Sequence, residues 1–139
     1  MADITRTKAQ VSVVFPTKAD IVDVIATETV EAGQAAYQLT TGKFGLADAN
    51  AAGKQQFRGI FLKDAAAGQA VSVLREGYLA GYTLSGMNAD AAAYLSDTVG
   101  ELADAAGTMT VNVGRVAVLT DSSLTKVLYV KADWLRAWS

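Results

Sequence analysis

Histidine and cysteine are absent from the 139 residues, and there is one proline, Pro16. Without histidine the commonest general base and metal ligand is missing, and no Ser-His-Asp or Cys-His arrangement can be assembled. Without cysteine there is no disulfide, thiolate metal site or thiol nucleophile, so the chain carries no mark of a redox compartment. Charge is scarce too: 19% of the residues are charged, against about 25% in an ordinary soluble domain. The net charge is −2, and Lys8, Lys18, Lys43, Lys54, Lys63 and Lys126 are scattered, which leaves no basic field for a phosphate backbone. Nucleic acid is therefore not an expected partner. No stretch approaches 18 consecutive apolar residues, and the opening Met1-Ala2-Asp3-Ile4-Thr5-Arg6 lacks the basic-then-apolar pattern of a leader. Membrane is likewise not expected, and synthesis in the cytoplasm is.

Small residues fill the space left by these absences, with 26 alanines and 12 glycines. A lightly charged surface of small side chains desolvates readily, which favours close association with other chains. A chain of 14.5 kDa suits a single domain, with a folded surface of about 6,900 Å².

Short β-patterned runs follow one another, separated by glycine-bearing turns. Val11, Val13 and Phe15 alternate with Gln10, Ser12 and Val14 up to Pro16, the period of a half-buried strand closed by a residue that cannot donate to a ladder. Further strands are expected at residues 21–25, 35–39, 44–47, 57–62, 71–74, 82–84, 92–95, 109–119 and 124–131, with an extended run at 27–30. This spacing predicts an all-β fold, a compact barrel or sandwich-like domain. Alanine propensity alone would make residues 88–96 a helix; kinship with the broken segment around Ala35 argues for a strand. In 109–119 the apolar phase runs Met109, Val111, Val113 and then Val116, Val118, so a β-bulge or sharp bend is expected near Gly114-Arg115.

That kinship is an internal echo. Ala35-Ala36-Tyr37, Leu46-Ala47-Asp48-Ala49 and Gly59 return as Ala92-Ala93-Tyr94, Leu102-Ala103-Asp104-Ala105 and Gly114. The pattern predicts a β unit used twice, about residues 32–64 and 89–121, inside one domain of residues 21–139, preceded by an extended arm with the first strand at 1–20. A shorter echo joins Ala32-Gly33-Gln34 to Ala67-Gly68-Gln69. It reads as a repeated turn with positive φ at the glycine, or as a ligand loop built on Gln34 and Gln69.

Chemistry-bearing patterns are incomplete. Asp48 and Asp104 occupy equivalent places and could pair as acid and base, yet each adjoins a turn where Asp commonly accepts backbone N–H bonds. Asp48-Ala49-Asn50 and Asn88-Ala89-Asp90 begin like calcium loops and lack the continuation. Gly42-Lys43 and Gly53-Lys54 lack the rest of a phosphate loop. Gly77-Tyr78-Leu79-Ala80-Gly81 has GxxxG spacing beside Arg75 and Glu76 and is read as a tight strand connection. No metal, cofactor or catalytic residue is expected. The C-terminal Asp133-Trp134-Leu135-Arg136-Ala137-Trp138 is more pointed, because Asp133 could cap a short helical turn that sets both tryptophans on one side. They serve either as a flap closing the protein's own barrel or as anchors on a neighbouring subunit.

The succession of Ala32-Gly33-Gln34-Ala35-Ala36-Tyr37, Gly59-Ile60, Ala67-Gly68-Gln69, Gly77, Ala93-Tyr94-Leu95-Ser96, Gly100 and Gly114-Arg115-Val116 resembles the capsid decoration, or head cement, proteins of tailed bacteriophages over about residues 20–131. The resemblance implies a non-enzymatic β body, often trimeric, made in the host cytoplasm and bound to the outer capsid surface of the virion, where it clamps major capsid subunits. Residues 1–18 and 134–139 lie outside it. Candidate capsid or subunit contacts are Ile4, Arg6, Val11, Val13 and Phe15 on the arm, which would add a strand to a neighbour's edge, and Trp134 and Trp138. A carbohydrate- or protein-binding β-sandwich module on a larger assembly is the alternative, opposed by the shortage of an aromatic platform among five tyrosines and two tryptophans. From the missing His and Cys, a chelator should leave the melting temperature unchanged; a fall of many degrees in a calorimetric scan would show that the oxygen-bearing turns at Asp48 or Asp90 hold an ion.

Overall fold

The computed structural model describes residues 2–119 and 126–138. The expected beginning of the last strand at 124–125, the end of the second repeat at 120–121 and Met1 lie outside these residues. Among the described residues ten strands form: β1 (Ser12–Val14), β2 (Asp20–Ile25), β3 (Ala35–Gln38), β4 (Phe44–Leu46), β5 (Gly59–Phe61), β6 (Ala70–Ala80), β7 (Ala92–Leu95), β8 (Leu102–Ala103), β9 (Asn112–Val118) and β10 (Lys126–Lys131). The alanine-rich segment is a strand, as the echo with Ala35 argued. Single 3₁₀ turns at Lys8–Gln10 and Pro16–Lys18 break the N-terminal run. Among the described residues, no helix is long and apolar enough to cross a membrane.

The strands lie in one antiparallel sheet ordered β4-β3-β5-β6-β10-β9-β7-β8, with β1 and β2 also on β6. The sheet curls into a half-barrel. Backbone bonds from Ala35 to Gly100 (2.9 Å), Gly100 to Ala47 (2.7 Å), Ala49 to Ser96 (3.1 Å) and Met109 to Ala49 (3.0 Å) draw its two ends together. The folded surface is 6896 Å², the area expected of a chain this size closed on itself.

β6 departs most from the sequence reading. The Gly77 stretch is not a connection, because β6 runs through it for 11 residues. Gly77 adopts φ 154°, a value that side chains disfavour. Beside it β6 carries a bulge, because Asp20 faces Glu76 and Ile21 faces Leu74 with Arg75 left over, so the strand bends at 75–77 where a turn was expected. Below the bend Leu74 pairs with both Ile21 and Ile60; above it Tyr78 pairs with both Val14 and Tyr129. Residues 82–84 form no strand and contribute one bridge, Tyr82 to Arg6, while 27–30 is flanked by the single bridges Ala26–Phe44 and Val30–Ala65.

β5 and the lower half of β6 are covered on both faces. Ile60 and Leu74 join Phe57, Leu79, Leu95, Leu128 and Val130 inside the curl, while Phe61, Val71 and Val73 turn the other way onto Phe44, Val30 and Ala26. Two-sided burial explains why this region carries continuous apolar runs rather than clean alternation.

The phase slip in β9 is a bulge. Ala93 faces Gly114 and Tyr94 faces Asn112, leaving Val113 as the extra residue, and the Asn112 side chain accepts the Gly114 N–H at 3.0 Å. A Cβ on Gly114 would run into the Tyr129 carbonyl oxygen across the sheet. The two Ala-Ala-Tyr strands pair alike on this side, Ala36 with Gly59 and Ala93 with Gly114. On the other side Leu46 faces Ala36, whereas Leu102 faces Leu95, two residues further along its strand, so the likeness stops there.

The N-terminal segment is tied into the protein's own body, contrary to the expected reaching arm. The N–H groups of Ile4, Thr7 and Asp104 donate to the carbonyls of Leu102 (2.8 Å), Gly81 (2.8 Å) and Ala2 (3.0 Å), and Thr83 donates to Thr5 at 2.7 Å. Ile4 is buried in the main core. The segment's partners in these bonds lie 74 and more residues away in sequence, beyond the reach of any local pattern. Ile4→Ala should therefore cost about 2–5 kcal/mol, and removal of residues 1–7 should lower the urea midpoint; an unchanged midpoint would return the segment to the role of a free arm.

Candidate interaction surface

The candidate contacts separate into inward-facing and outward-facing groups. Arg6 is inward-facing: its guanidinium lies 3.0 Å from Glu31 and 3.2 Å from Glu101, and its side chain is 12% exposed. Lys8 reaches Glu31 (3.2 Å) and Asp64 (3.3 Å). Hydrogen bonding to Glu31 and then Asp64 raises the Lys8 pKa, and the Ala32 N–H, then Lys8, lower that of Asp64. Tyr82 donates its hydroxyl to the Gly33 carbonyl at 2.6 Å. Together these groups hold Arg6 against the first Ala-Gly-Gln turn.

The two Ala-Gly-Gln turns have the same construction, which favours the turn reading of Gln34 and Gln69 over a ligand loop. The Glu31 and Ala66 N–H groups each donate to the following glutamine's side-chain oxygen at 2.8 Å, with φ of 92° at Gly33 and 87° at Gly68. The two aspartates are engaged in the same way. Asp48 accepts the Asn50 N–H at 2.8 Å and Asp104 the Ala2 N–H at 2.9 Å, and no bond joins the two carboxylates.

Val11 and Val13 pack partly onto the core. Phe15 turns away: its φ of 58° is left-handed, and the residue is 45% exposed. It meets Tyr78 edge-on at 5.7 Å, and Tyr78 meets Tyr129 at 5.2 Å, so an aromatic row runs from the end of β1 across β6 to β10. Lys18 lies 5.6 Å from the Phe15 ring centre. Sequence reading missed this row because its members are more than 50 residues apart and only the register of β6 aligns them.

Beside Phe15, β2 alternates Val22 and Val24 against the second core with Ile21, Asp23 and Ile25 toward solvent. Ile21 and Ile25 are 41% and 38% exposed. Among the described residues β2 pairs only with β6, so its other edge carries no strand. Asp23 alone interrupts the exposed apolar line, and its carboxylate is taken by the Ser72 hydroxyl at 2.9 Å.

The tryptophans lie on the protein's own body. The Trp134 indole donates to the Arg58 carbonyl at 2.8 Å and packs on both cores, 6.0 Å from Phe44, with the Arg75 guanidinium 4.3 Å from its ring centre. The backbone of Trp138 is held by Gln56 (2.7 Å to its N–H, 2.7 Å to its carbonyl) and Gln55 (3.0 Å). Asp133 accepts the Leu135 N–H at 3.1 Å and its carbonyl the Arg136 N–H at 3.3 Å, so it caps a single short turn. This placement corresponds to the flap.

Comparisons with protein-family models, with curated proteins and with solved structures return no match.

Two expectations follow from this geometry. Trp134→Ala should cost about 3–5 kcal/mol in denaturant melts, because it empties the seam between the two cores. The Tyr129 hydroxyl is pushed up to about 12 by burial and by its bond to Glu76, and burial also raises Tyr82. A tyrosine raised above its usual value of about 10 favours the fold while protonated. Its contribution is complete below pH 10 and is lost as pH rises from 10 toward 12. Thermal melts across that range should fall, and less steeply for Tyr129→Phe.

Proposed function

We propose that this chain is a non-enzymatic structural protein that binds the outside of a tailed-phage head and reinforces its lattice as a decoration or cement protein. The observation that carries the reading is the open edge of β2, with Phe15, Ile21 and Ile25 exposed beside it on a closely packed β body. Soluble β proteins ordinarily blunt such an edge with charge, proline or a covering element. An apolar, unpaired edge is what an extended segment of another chain adds to, with the backbone ladder giving affinity and alternate side chains giving specificity. In this reading the partner is the major capsid protein, and several copies, three in a trimer, clamp adjacent subunits through contacts that are weak singly and strong together.

The aromatic row of Phe15, Tyr78 and Tyr129 favours a second reading, a binding module for carbohydrate or protein on a larger assembly. Its rings are inclined to one another by 89° and 49° and make no flat platform for a sugar, so it favours the protein-binding form of that reading.

Co-sedimentation with heads of the cognate phage assembled without this protein tests the first reading. Wild type should pellet with the heads. Ile21→Lys combined with Ile25→Lys should remain in the supernatant while melting within a few degrees of wild type, since both side chains are largely outside the core. A wild-type protein that stays in the supernatant removes the decoration reading, and a double variant that still pellets moves the contact away from β2.

A further inference from the structure

A second surface lies on the outer face of β9 and β10, apart from the β2 edge. A cleft of about 330 Å³ opens there between the sheet and the C-terminal turn. Its floor is Gly114 and Tyr129, with Tyr129 directly across from Arg115. Lys131 lies two residues along β10, and the turn contributes Asp133, Arg136 and Trp138. A neighbouring hollow of about 350 Å³ shares Arg115 and Tyr129 and extends the cleft toward Tyr78. The result is a trough across three strands, long enough for an extended chain rather than a single small group.

The cleft end of the trough is cationic although the chain as a whole carries −2. Arg115, Lys131 and Arg136 line it against Asp133, while Asp90 lines the neighbouring hollow and Glu76, cross-strand from Lys131, accepts the Tyr129 hydroxyl at 2.9 Å. Asp133 is already engaged by the turn at Leu135. Arg115 uses one nitrogen on the Asp90 carbonyl at 2.8 Å. Among the described residues, Lys131 and Arg136 make no side-chain hydrogen bond or ion pair, although Arg136 lies 4.0 Å over the Trp138 ring. The Trp138 indole N–H is shut from solvent and likewise has no acceptor there. Lys131 and Arg136, both exposed, are the donors a ligand can reach, and they call for oxygen acceptors carrying negative charge.

We infer that this trough binds an acidic peptide segment of a partner protein, its carboxylates pairing with Arg115, Lys131 and Arg136. A stacked sugar suits it less well. Tyr78 and Tyr129 are inclined at 49° to each other and form no shared plane, and the Arg136 guanidinium already covers one face of Trp138. The inference uses none of the exposed β2 residues, so it stands or falls separately from the capsid reading.

An octaglutamate peptide titrated into the full ¹⁵N-labelled chain at low ionic strength is the direct test. Saturable shifts should cluster at Gly114, Arg115, Lys131 and the Trp138 indole, weaken with added salt, and be lacking with octaglutamine. Arg115→Gln combined with Arg136→Gln should melt as wild type does and lose at least about tenfold in affinity, a loss of the size expected for charge-assisted bonds. Shifts elsewhere, or undiminished binding by the variant, would overturn the assignment. So would inorganic phosphate displacing the peptide at equal or lower concentration, which would make this a small-anion site, or polygalacturonate occupying the trough where octaglutamate does not, which would make it a glycan site.

Discussion

The pairing of β6 on both of its edges, on both sides of the bend at Gly77, is the constraint on which the rest of the fold depends. One strand of 11 residues serves β2 and β5 in its lower half and β1 and β10 in its upper half. A straight strand would keep its neighbours in one continuous layer. The bend instead lets β5 and β10 meet β6 at successive points, and the chain leaving β10 crosses back to the start of β5, where Trp134 reaches the Arg58 carbonyl and fills the seam between the two cores. A side chain at 77 would crowd Leu74 and Ala19, at 3.1 and 3.3 Å, besides opposing the backbone angle. The same bend lines up Tyr78 with Phe15 and Tyr129, so the outer aromatic row comes from the same device that shapes the core.

Closure is completed from the termini. The N-terminal segment spends its one large apolar side chain, Ile4, inside the main core and its Arg6 charge between Glu31 and Glu101. A partly buried guanidinium needs such company, because desolvated charge is costly without paired, hydrogen-bonded partners. The C-terminal turn is fastened by the glutamine pair at 55 and 56, so both ends of the described chain reinforce one body.

What remains outward is therefore restricted. The apolar edge around Ile21 and Ile25 and the cationic trough between β9–β10 and the last turn differ in chemistry, one suited to strand addition and burial, the other to carboxylates. Both surfaces lie on a body rich in small residues. That body rests on register and close backbone approach, as at Gly114 against Tyr129, more than on large side chains.

The all-β class, most strand positions, the strand at Ala92 and the bulge beside Gly114 were legible in the sequence, because alternation, turn chemistry and a phase slip are local patterns that survive without knowledge of the fold. The Ala-Gly-Gln echo was legible for the same reason, since its bonds close within four residues. Gly77 was misread because a glycine that ends a strand and one that bends it look alike until both edges of the strand are known. Ile4 and Arg6 were misplaced, and the aromatic row and cationic trough unseen, because these arrangements join residues tens of positions apart through β-sheet register. Local sequence determined what each segment becomes; only the tertiary structure decided which segments meet, since sheet pairing is a long-range choice set by the two-sided burial of β5 and β6 and the bend in β6.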